Sequence, residues 1–600
     1  MAVTPVVMAL SRAGEGVAHR VAAALGAPVH GREGRVDKAD AFFPDALEHV
    51  RSLFAAGTPV IGVCASGILI RGVAPLLADK RTEPPVVSVS DDGGVVVPLL
   101  GGHRGANRLA RQIAEVLGGD AAVTTAGDVS LGVALDEPPV GYRLDNPQDA
   151  KGVMAALLAG GGVTWTDEEL FDVPLPEGDE VELLVTEAEG VGTESRLVYH
   201  PQRFALGLGC ARNADPEELW EHVQGALHAA DVAQGAVACV ASIDLKGDEP
   251  AILSVAARLG VPLRLFTAQE LEAEAGRLAN PSDVVFAEVG CHGVAEGAAL
   301  AAAGAEAELS VEKSKTANTT CALARAPDPI VEMRGRARGR LSLVGIGPGQ
   351  AAWRTPEASR MIAEADDLVG YGLYIDLLGA LAAGKPRHDF PLGGEEARCR
   401  FALELAGEGR KVAVICSGDA GIYAMGALVF ELLDRGADAM GVSDAARRVE
   451  VVSAPGVSAL QGAAARAGAP LGHDFCAISL SDLLTPREDI LRRVKAAAEG
   501  DFVIAFYNPV SKRRRELLAL ARDILLEHRP GDCPVLLASS LGRPEEDLRY
   551  RRLEDLRVDE VDMLTVVLIG SSQSRLAALG EGPRMYTPRG YARRIDGDLA

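Results

Sequence analysis

The sequence has no CxxC pair. Its nine cysteines, Cys64, Cys210, Cys239, Cys291, Cys321, Cys399, Cys416, Cys476 and Cys533, are scattered and odd in number. Neither a disulfide framework nor a zinc site finds its spacing, so mostly buried thiols in a reducing compartment are expected. No run of eighteen apolar residues suggests a membrane span. The opening MAVTPVVMALSRAGEG lacks the basic start and long apolar run of a signal peptide, which points to the cytoplasm. Positive charge is in deficit: 60 Lys and Arg against 84 Asp and Glu leave −24. That argues against nucleic acid bound over the whole surface, and an acidic substrate would need a local basic pocket. What is present is ordinary globular composition, 48% hydrophobic and 24% charged, over 600 residues, too many for one core. The chain reads as multidomain α/β with neither nucleic acid nor membrane as partner.

Two stretches organise it. Leu341 to Gly349, LSLVGIGPG, is a short apolar strand stopping in glycines. Val412 to Cys416 is a second strand, running into SGDAGIYAMG at Ser417 to Gly426. In an open α/β sheet the loops at the carboxyl ends of strands form the ligand crevice, and glycines there let a ligand approach the backbone. Each alone is an ordinary βα turn; the pair, a crossover apart, points to a small-molecule site. Asp419 would favour a ribose or a cationic amino group, or else caps its own turn.

GIGPG, SGDAGIYAMG and Ala454-Pro-Gly-Val-Ser-Ala459, together with HDFCAISLSD at His473 to Asp482, FYNPVSKR at Phe506 to Arg513 and TVVLIG at Thr565 to Gly570, resemble the tetrapyrrole methyltransferase family. Within it they resemble the precorrin-3B C17-methyltransferases of the cobalamin pathway, over about residues 340–600. The resemblance implies a two-lobed class III methyltransferase fold, lobes 341–454 and 455–600, with S-adenosylmethionine in the cleft between them. The implied cofactor residues are Gly345, Gly347, Pro348, Gly349, Ser417, Gly418, Asp419, Ile422, Ser458, Ala459 and Asn508. It also implies contraction of the macrocycle, which needs proton transfer; Tyr371, His473 and Asp482 are the candidates, with His473-Asp474 readable as a loop pair. Substrate carboxylate arms could meet Lys512 to Arg515 and Arg549 to Arg552, runs that are also readable as solvated. A homodimer through this half is implied, and other enzymes of the pathway are possible partners. Where the family has an aromatic residue after Leu483-Leu484-Thr485-Pro486, this chain has Arg487.

Before residue 340, strands and helices alternate. Val86 to Val89 and Val95 to Leu100 flank a hairpin turn. Gly101-Gly-His-Arg-Gly-Ala-Asn107 follows, opening a helix to Leu117. Free N–H groups there favour anions, and His103 could serve as general acid or base; alternatively His103 and Asn107 cap the helix. GVCASGILIR, SVSDDGG, PLLGGHRGANRLARQIA and TTAGD resemble the N-terminal region of cobalt-precorrin-5A hydrolase, though that family more often has Thr at position 127. The resemblance implies lactone opening with release of acetaldehyde, His103 activating water and Arg104 stabilising oxyanion charge.

Residues 131–200 read as a connecting region, with a helix over 147–158 and an acidic stretch holding two strand-like runs. Residues 203–326 form a small α/β domain resembling the C-terminal domain of the same hydrolases. Cys291-His292 looks like a dyad there, but adjacent residues seldom aim at one point, so loop packing is the better reading. Lys246, Lys313 and Lys315 could hold carboxylates or be solvated. Residues 327–340, with a Met-Arg-Gly-Arg-Ala-Arg-Gly-Arg run, read as a linker and solvated hinge. The expected boundaries are thus 1–130, 131–200, 203–326, 327–340, 341–454 and 455–600. Two rival readings follow: a bifunctional enzyme, or a methyltransferase fused to a module that carries an unstable intermediate. A methyltransferase acting on another compound, such as a diphthamide intermediate, is more distant. Whether the substrate holds cobalt stays open.

Overall fold

The computed structural model describes residues 3–77, 82–166, 168–171, 173–436, 439–511 and 514–595, apart from the side chains of His103, Ala126, Asp128, Ala592 and Arg593. The first sheet runs Ala41–Phe43, Val29–Arg32, Val6–Ala9, Val60–Val63, Val86–Val89, Val95–Leu100, Asp120–Ala121. Its inner strands are continuous apolar runs because helices cover both faces. Val7 and Ala9 point under the helices Arg12–Leu25 and Ala106–Leu117. Met8 points the other way, into a core that does not end with this unit. That core continues through Leu53 and Val50 into Ile362, Leu368, Leu378, Leu381 and Ile415. The N-terminal unit is therefore seated on the glycine-turn unit more than 300 residues away.

The acidic region is more than a connection. It holds a four-stranded sheet ordered Tyr142–Leu144, Arg196–Pro201, Val181–Val185, Val163–Thr166. Its core contains Leu135, Val153, Leu183, Leu197 and Tyr199. The acidic residues alternate outward: Val181, Leu183 and Val185 are buried while Glu182 meets the Arg196 guanidinium. Its helix is Ala150–Leu158, starting three residues later than expected.

A six-stranded sheet follows, ordered Glu308–Lys315, Thr319–Arg325, Phe204–Cys210, Val237–Ile243, Leu263–Phe266, Arg336–Ala337. Its last strand comes from the arginine run. Instead of a solvated hinge, the run is bound on both sides. Arg264 donates to the carbonyls of Met333, Arg334 and Gly335. Arg336 pairs with Asp244 at 2.9 Å and donates to Gly407 O, and Arg338 donates to Arg448 O and Val449 O. Arginine packs here through its planar fork and aliphatic stem, which a flexibility argument from Arg and Gly content misses.

The fourth sheet is wholly parallel: Arg387–Phe390, Asp367–Tyr371, Lys411–Cys416, Arg340–Gly345, Glu450–Ala454. The fifth is mostly antiparallel: Phe475–Ser479, Val503–Tyr507, Thr565–Ile569, Pro534–Ser539, Asp547–Arg552. A small third layer pairs Gly468–Ala469, Gly582–Tyr586 and Arg575–Leu579. The SGDAGIYAMG stretch turns helical only at Gly426, because Tyr423 takes φ +50°, outside the helical region. Among the described residues no single helix is long and apolar enough to cross a membrane. Only the pair Asp283–Val289 and Val294–Ala303, bent by 78°, reaches that length together, and the second member packs in the core of its own unit.

Candidate active site

Three loops leave the carboxyl ends of Arg340–Gly345, Lys411–Cys416 and Glu450–Ala454, with the first strand lying between the other two. They meet backbone to backbone. Gly347 N donates to Gly418 O at 3.1 Å and Gly418 N to Gly347 O at 2.9 Å. A Cβ on Gly345 would come within 2.6 Å of Gly418 O, and one on Gly456 within 2.2 Å of the same oxygen. Asp419 ties the second loop to the third: Gly421 N donates to its Oδ1 at 2.8 Å and Gly456 N to its Oδ2 at 2.9 Å.

Beside this knot a cleft of about 190 Å³ opens between the fourth and fifth sheets. Pro348, Ser417, Gly418, Asp419, Ile422, Ser458, Ala459 and Asn508 all line it. Gly345, Gly347 and Gly349 do not; they shape it. Gly349 lies so close to Leu541 O that a Cβ would stand 2.6 Å away, which lets the loop at residues 541–543 press on the first turn.

The cleft also takes residues that the sequence reading did not single out as ligands: Tyr374, Tyr423, Tyr507, Ser540, Leu541, Arg543, Met563, Leu564, Thr565 and Val566. Tyr507 lies in the quoted FYNP stretch, and Thr565 and Val566 in TVVLIG. Leu460 N donates to the Tyr507 hydroxyl at 2.9 Å, and that oxygen stands 3.0 Å from Ser458 Oγ. Tyr507 thus anchors the start of the helix Ala459–Ala467, where Ser458 and Gln461 form a reciprocal cap. Burial pushes the Tyr374, Tyr423 and Tyr507 phenols up, so all three are neutral donors at pH 7. Tyr423, Asn508 and Ser540 all have φ near +50°, strain of the kind that gathers at ligand sites. The wall is apolar and open, with Ile422, Tyr423, Met563 and Leu564 all exposed, beside hydroxyls, one carboxylate and the Ser417–Asp419 backbone. That donor and apolar set suits a nucleoside carrying an amino-acid tail.

The expected proton-transfer residues lie elsewhere. Tyr371 ends its strand with its ring edge-on to Tyr374, centroids 5.3 Å apart, and Tyr374 is the one that faces the cleft. His473 is an exposed loop residue whose Nδ1 accepts from Asp474 N. Asp482 pairs with Arg514 at 3.4 Å. None of the three is a lining residue. In the basic runs, Lys512 and Arg513 lie outside the described residues. Arg515 donates to Val558 O, Arg549 to Glu560 O and Arg551 to the Glu560 carboxylate, so these arginines serve the lobe. Arg487 opens a helix and pairs with Glu516.

In the N-terminal unit, Gly102–Arg104 forms one tight turn between left-handed Gly101 and Gly105. Arg104 is exposed there, and the His103 side chain lies outside the described residues. Asn107 does not cap its helix: it is buried and donates to Thr125 Oγ1 at 2.9 Å. Gly127 stands where a Cβ would meet Val133 O at 3.0 Å and the Met154 tip at 2.9 Å, so a larger residue there would require its neighbours to shift. His292 faces Glu272 at 2.8 Å and stacks on Phe286, while Cys291 is buried with its thiol pushed up by burial. They are no dyad. Lys246 is 3.4 Å from Glu249, and Lys313 donates to Asn280 O.

Residues 340–557 match the tetrapyrrole (corrin/porphyrin) methylases, residues 48–128 the cobalamin synthesis G N-terminal family and residues 204–324 the cobalamin synthesis G C-terminus family. The chain is 40% identical to the cobalamin biosynthesis protein CobIJ of Mycobacterium tuberculosis (strain ATCC 25618 / H37Rv), over 43% of this chain and 49% of that one. It therefore spans about half the length of the CobIJ relatives. It is 42% identical to a precorrin-3B C(17)-methyltransferase of Sinorhizobium sp, over 42% of this chain and 98% of that one. The solved structure of the methyltransferase CobJ aligns at 40% identity over 42% of this chain and all of that one, with a TM-score of 0.38.

Proposed function

Because the chain belongs to the tetrapyrrole methylase family, with cobalamin synthesis G domains ahead of the methylase, we propose that it methylates C17 of a corrin precursor, precorrin-3B or its cobalt counterpart, with ring contraction. The observation that carries this reading is the convergence of Pro348, Ser417 to Asp419, Ile422, Ser458, Ala459 and Asn508, from four separated stretches, on one cleft. S-adenosylmethionine supplies an electrophilic methyl group on sulfur. Ser417 to Asp419, Ser458 and Ala459 would hold it, with Ile422, Met563 and Leu564 as its apolar wall. The protein's contribution is then orientation and exclusion of water. The enzyme would work in the cytoplasm, as a homodimer through the methylase half. We propose the units 1–130, 131–200, 203–326, 341–454 and 455–600, with Arg336–Ala337 of the 327–340 stretch joined to the sheet of the third.

For the N-terminal half we propose lactone opening and acetaldehyde release, centred on His103 and Arg104 beside the Asn107–Thr125 contact. The rival is a carrier module. Purified protein given labelled S-adenosylmethionine with metal-free precorrin-3B and, separately, cobalt-factor III should add one methyl group to at least one, read by mass spectrometry. Methylation of neither overturns the substrate assignment. A His103→Ala variant that loses acetaldehyde release while methylation survives supports the hydrolase; no acetaldehyde from the unaltered protein with its proper substrate leaves the carrier.

A further inference from the structure

Arg543 lines the cleft, yet its guanidinium makes no hydrogen bond or ion pair with any described residue, and its Nε is shut off from solvent without a partner. The neighbouring arginines are different. Arg466 holds Glu546 at 2.8 Å, Arg514 holds Asp482 and Asn508 O, and Arg551 holds Glu560. The acid nearest in sequence is not available to Arg543 either. Glu546 is taken by Arg466 and by Gly542 N, at 2.6 Å.

The side chain is nonetheless held in place. Ser540 and Gly542 are both left-handed, at φ +49° and +70°, and Arg543 N donates to Ser540 O. The stem lies against the GIGPG turn, where a Cβ on Gly349 would approach Arg543 Cγ to 2.7 Å. A long cation is rarely packed this way without a counter-charge.

Burial raises the Tyr374 phenol, and the Arg543 and Arg398 charges both work against it. Arg398 is 3% exposed. Among the described residues it has no carboxylate partner, donates only to Pro391 O, at 3.1 Å, and Met425 Sδ, at 3.8 Å, and its Nε too is unpartnered. Asp419, the one acid lining the cleft, already accepts from Gly421 N and Gly456 N. In a chain of net charge −24, two guanidiniums without a carboxylate partner among the described residues both act on a tyrosine of the cleft wall.

We propose that Arg543 is the carboxylate anchor of this cleft, gripping a ligand carboxylate with its planar fork on a lining that also holds Tyr374. It rests on the methyltransferase reading for the ligand class. The carboxylate comes either from the amino-acid tail of the cofactor or from a peripheral arm of an acidic tetrapyrrole. Arg398, buried and not a lining residue, adds its charge without contact.

Isothermal titration of the full chain and of Arg543→Gln and Arg543→Lys distinguishes the sources. The probes are S-adenosylhomocysteine, 5′-deoxy-5′-methylthioadenosine, which has no amino-acid tail, and uroporphyrin III, an octacarboxylate. A lost charged contact lowers affinity roughly 10- to 100-fold. If the tail is the ligand, Arg543→Gln weakens S-adenosylhomocysteine by that factor and spares methylthioadenosine. If an arm is the ligand, both nucleosides bind unchanged and uroporphyrin III weakens. Lysine should restore charge but not the fork, and so only part of the affinity. Because Arg543 has no side-chain partner among the described residues, the melting temperature of Arg543→Gln should hold or rise. A lowered melting temperature with all three affinities unchanged, or no change at all, overturns the proposal. Failure of the unaltered chain to bind S-adenosylhomocysteine overturns the methyltransferase reading instead, and uroporphyrin III then still tests Arg543 alone.

Discussion

Gly347 and Gly418 exchange two backbone hydrogen bonds, at 3.1 and 2.9 Å, across the ends of neighbouring parallel strands. Both are left-handed, at φ +77° and +71°. The bridge fuses two βα turns into one rigid rim, so the cleft is built before any ligand arrives. Gly418→Ala keeps the space but adds left-handed strain of about 1–2 kcal/mol. Gly345→Ala drives a Cβ to 2.6 Å from Gly418 O and should cost more, about 1–3 kcal/mol by forced displacement alone. Thermal melts should rank the two in that order, and both should weaken S-adenosylhomocysteine binding. Equal melting temperatures would contradict the packing.

Asp419 works first as a tie between loops. Asparagine in its place offers one acceptor and one donor where two backbone N–H groups need acceptors. The expected loss is about 1–3 kcal/mol of stability from the stranded amide, with cofactor affinity falling as the third loop loosens. A stable Asp419→Asn protein that has lost only affinity would instead mean that the carboxylate binds the ligand directly.

Tyr507→Phe removes the oxygen that accepts from Leu460 N and meets Ser458 Oγ. The helix cap survives through Gln461, so the stability loss should be modest, about 0.5–1.5 kcal/mol. The effect on ligand binding should exceed the effect on melting, since Ser458 and Ala459 lose their stop. Calorimetry on both quantities checks this.

Acid should strip stability through a buried pair far from the cleft. His30 Nδ1 and His49 Nε2 stand 2.9 Å apart, His49 stacks on Phe43, and His30 Nε2 has no partner. Burial holds both imidazoles well below their ordinary value, and for His49 the neighbouring His30 adds to the effect. The folded pair is neutral at pH 7. In the unfolded chain each titrates near about 6.5, so below that pH the unfolded state binds more protons. Stability is full above the ordinary histidine value and drains as pH falls beneath it, until the folded pair itself protonates. Melting curves from pH 8 to 5 should show this loss, and a His30→Leu, His49→Phe double variant should flatten it. Parallel profiles for the two proteins would refute the assignment.

Much of the chain was legible because its signals are local. A strand that stops in glycines, as at Leu341 to Gly349 or Val412 to Gly418, announces a tight turn whatever surrounds it. Thr355 before Pro356 sets a helix start that the structure realises, with Ala358 N donating to Thr355 Oγ1. Motif spacing likewise brought out Ser417 to Asp419, Ser458 and Asn508, since those residues meet the cleft through loops whose shape their own sequence dictates. What escaped is non-local. Tyr374 rather than Tyr371 faces the cleft because of how its helix turns after Tyr371. Arg543 looks like any surface arginine until its neighbours prove to be paired off. His473 and Asp482, candidates for proton transfer, lie outside the cleft lining, His473 in an exposed loop and Asp482 beside Arg514.

By itself the sequence determined the alternation of strands and helices and the glycine turns, because backbone preference and apolar period act within a few residues; the family was legible only through the resemblance of its quoted motifs. Only the tertiary structure decided that the arginine run is a bound strand, that the acidic middle region has its own core, and that the N-terminal unit shares buried leucines with the methylase lobe. It also decided which tyrosine and which arginine line the cleft. These depend on packing between segments hundreds of residues apart, where burial and charge pairing have no trace in local spacing.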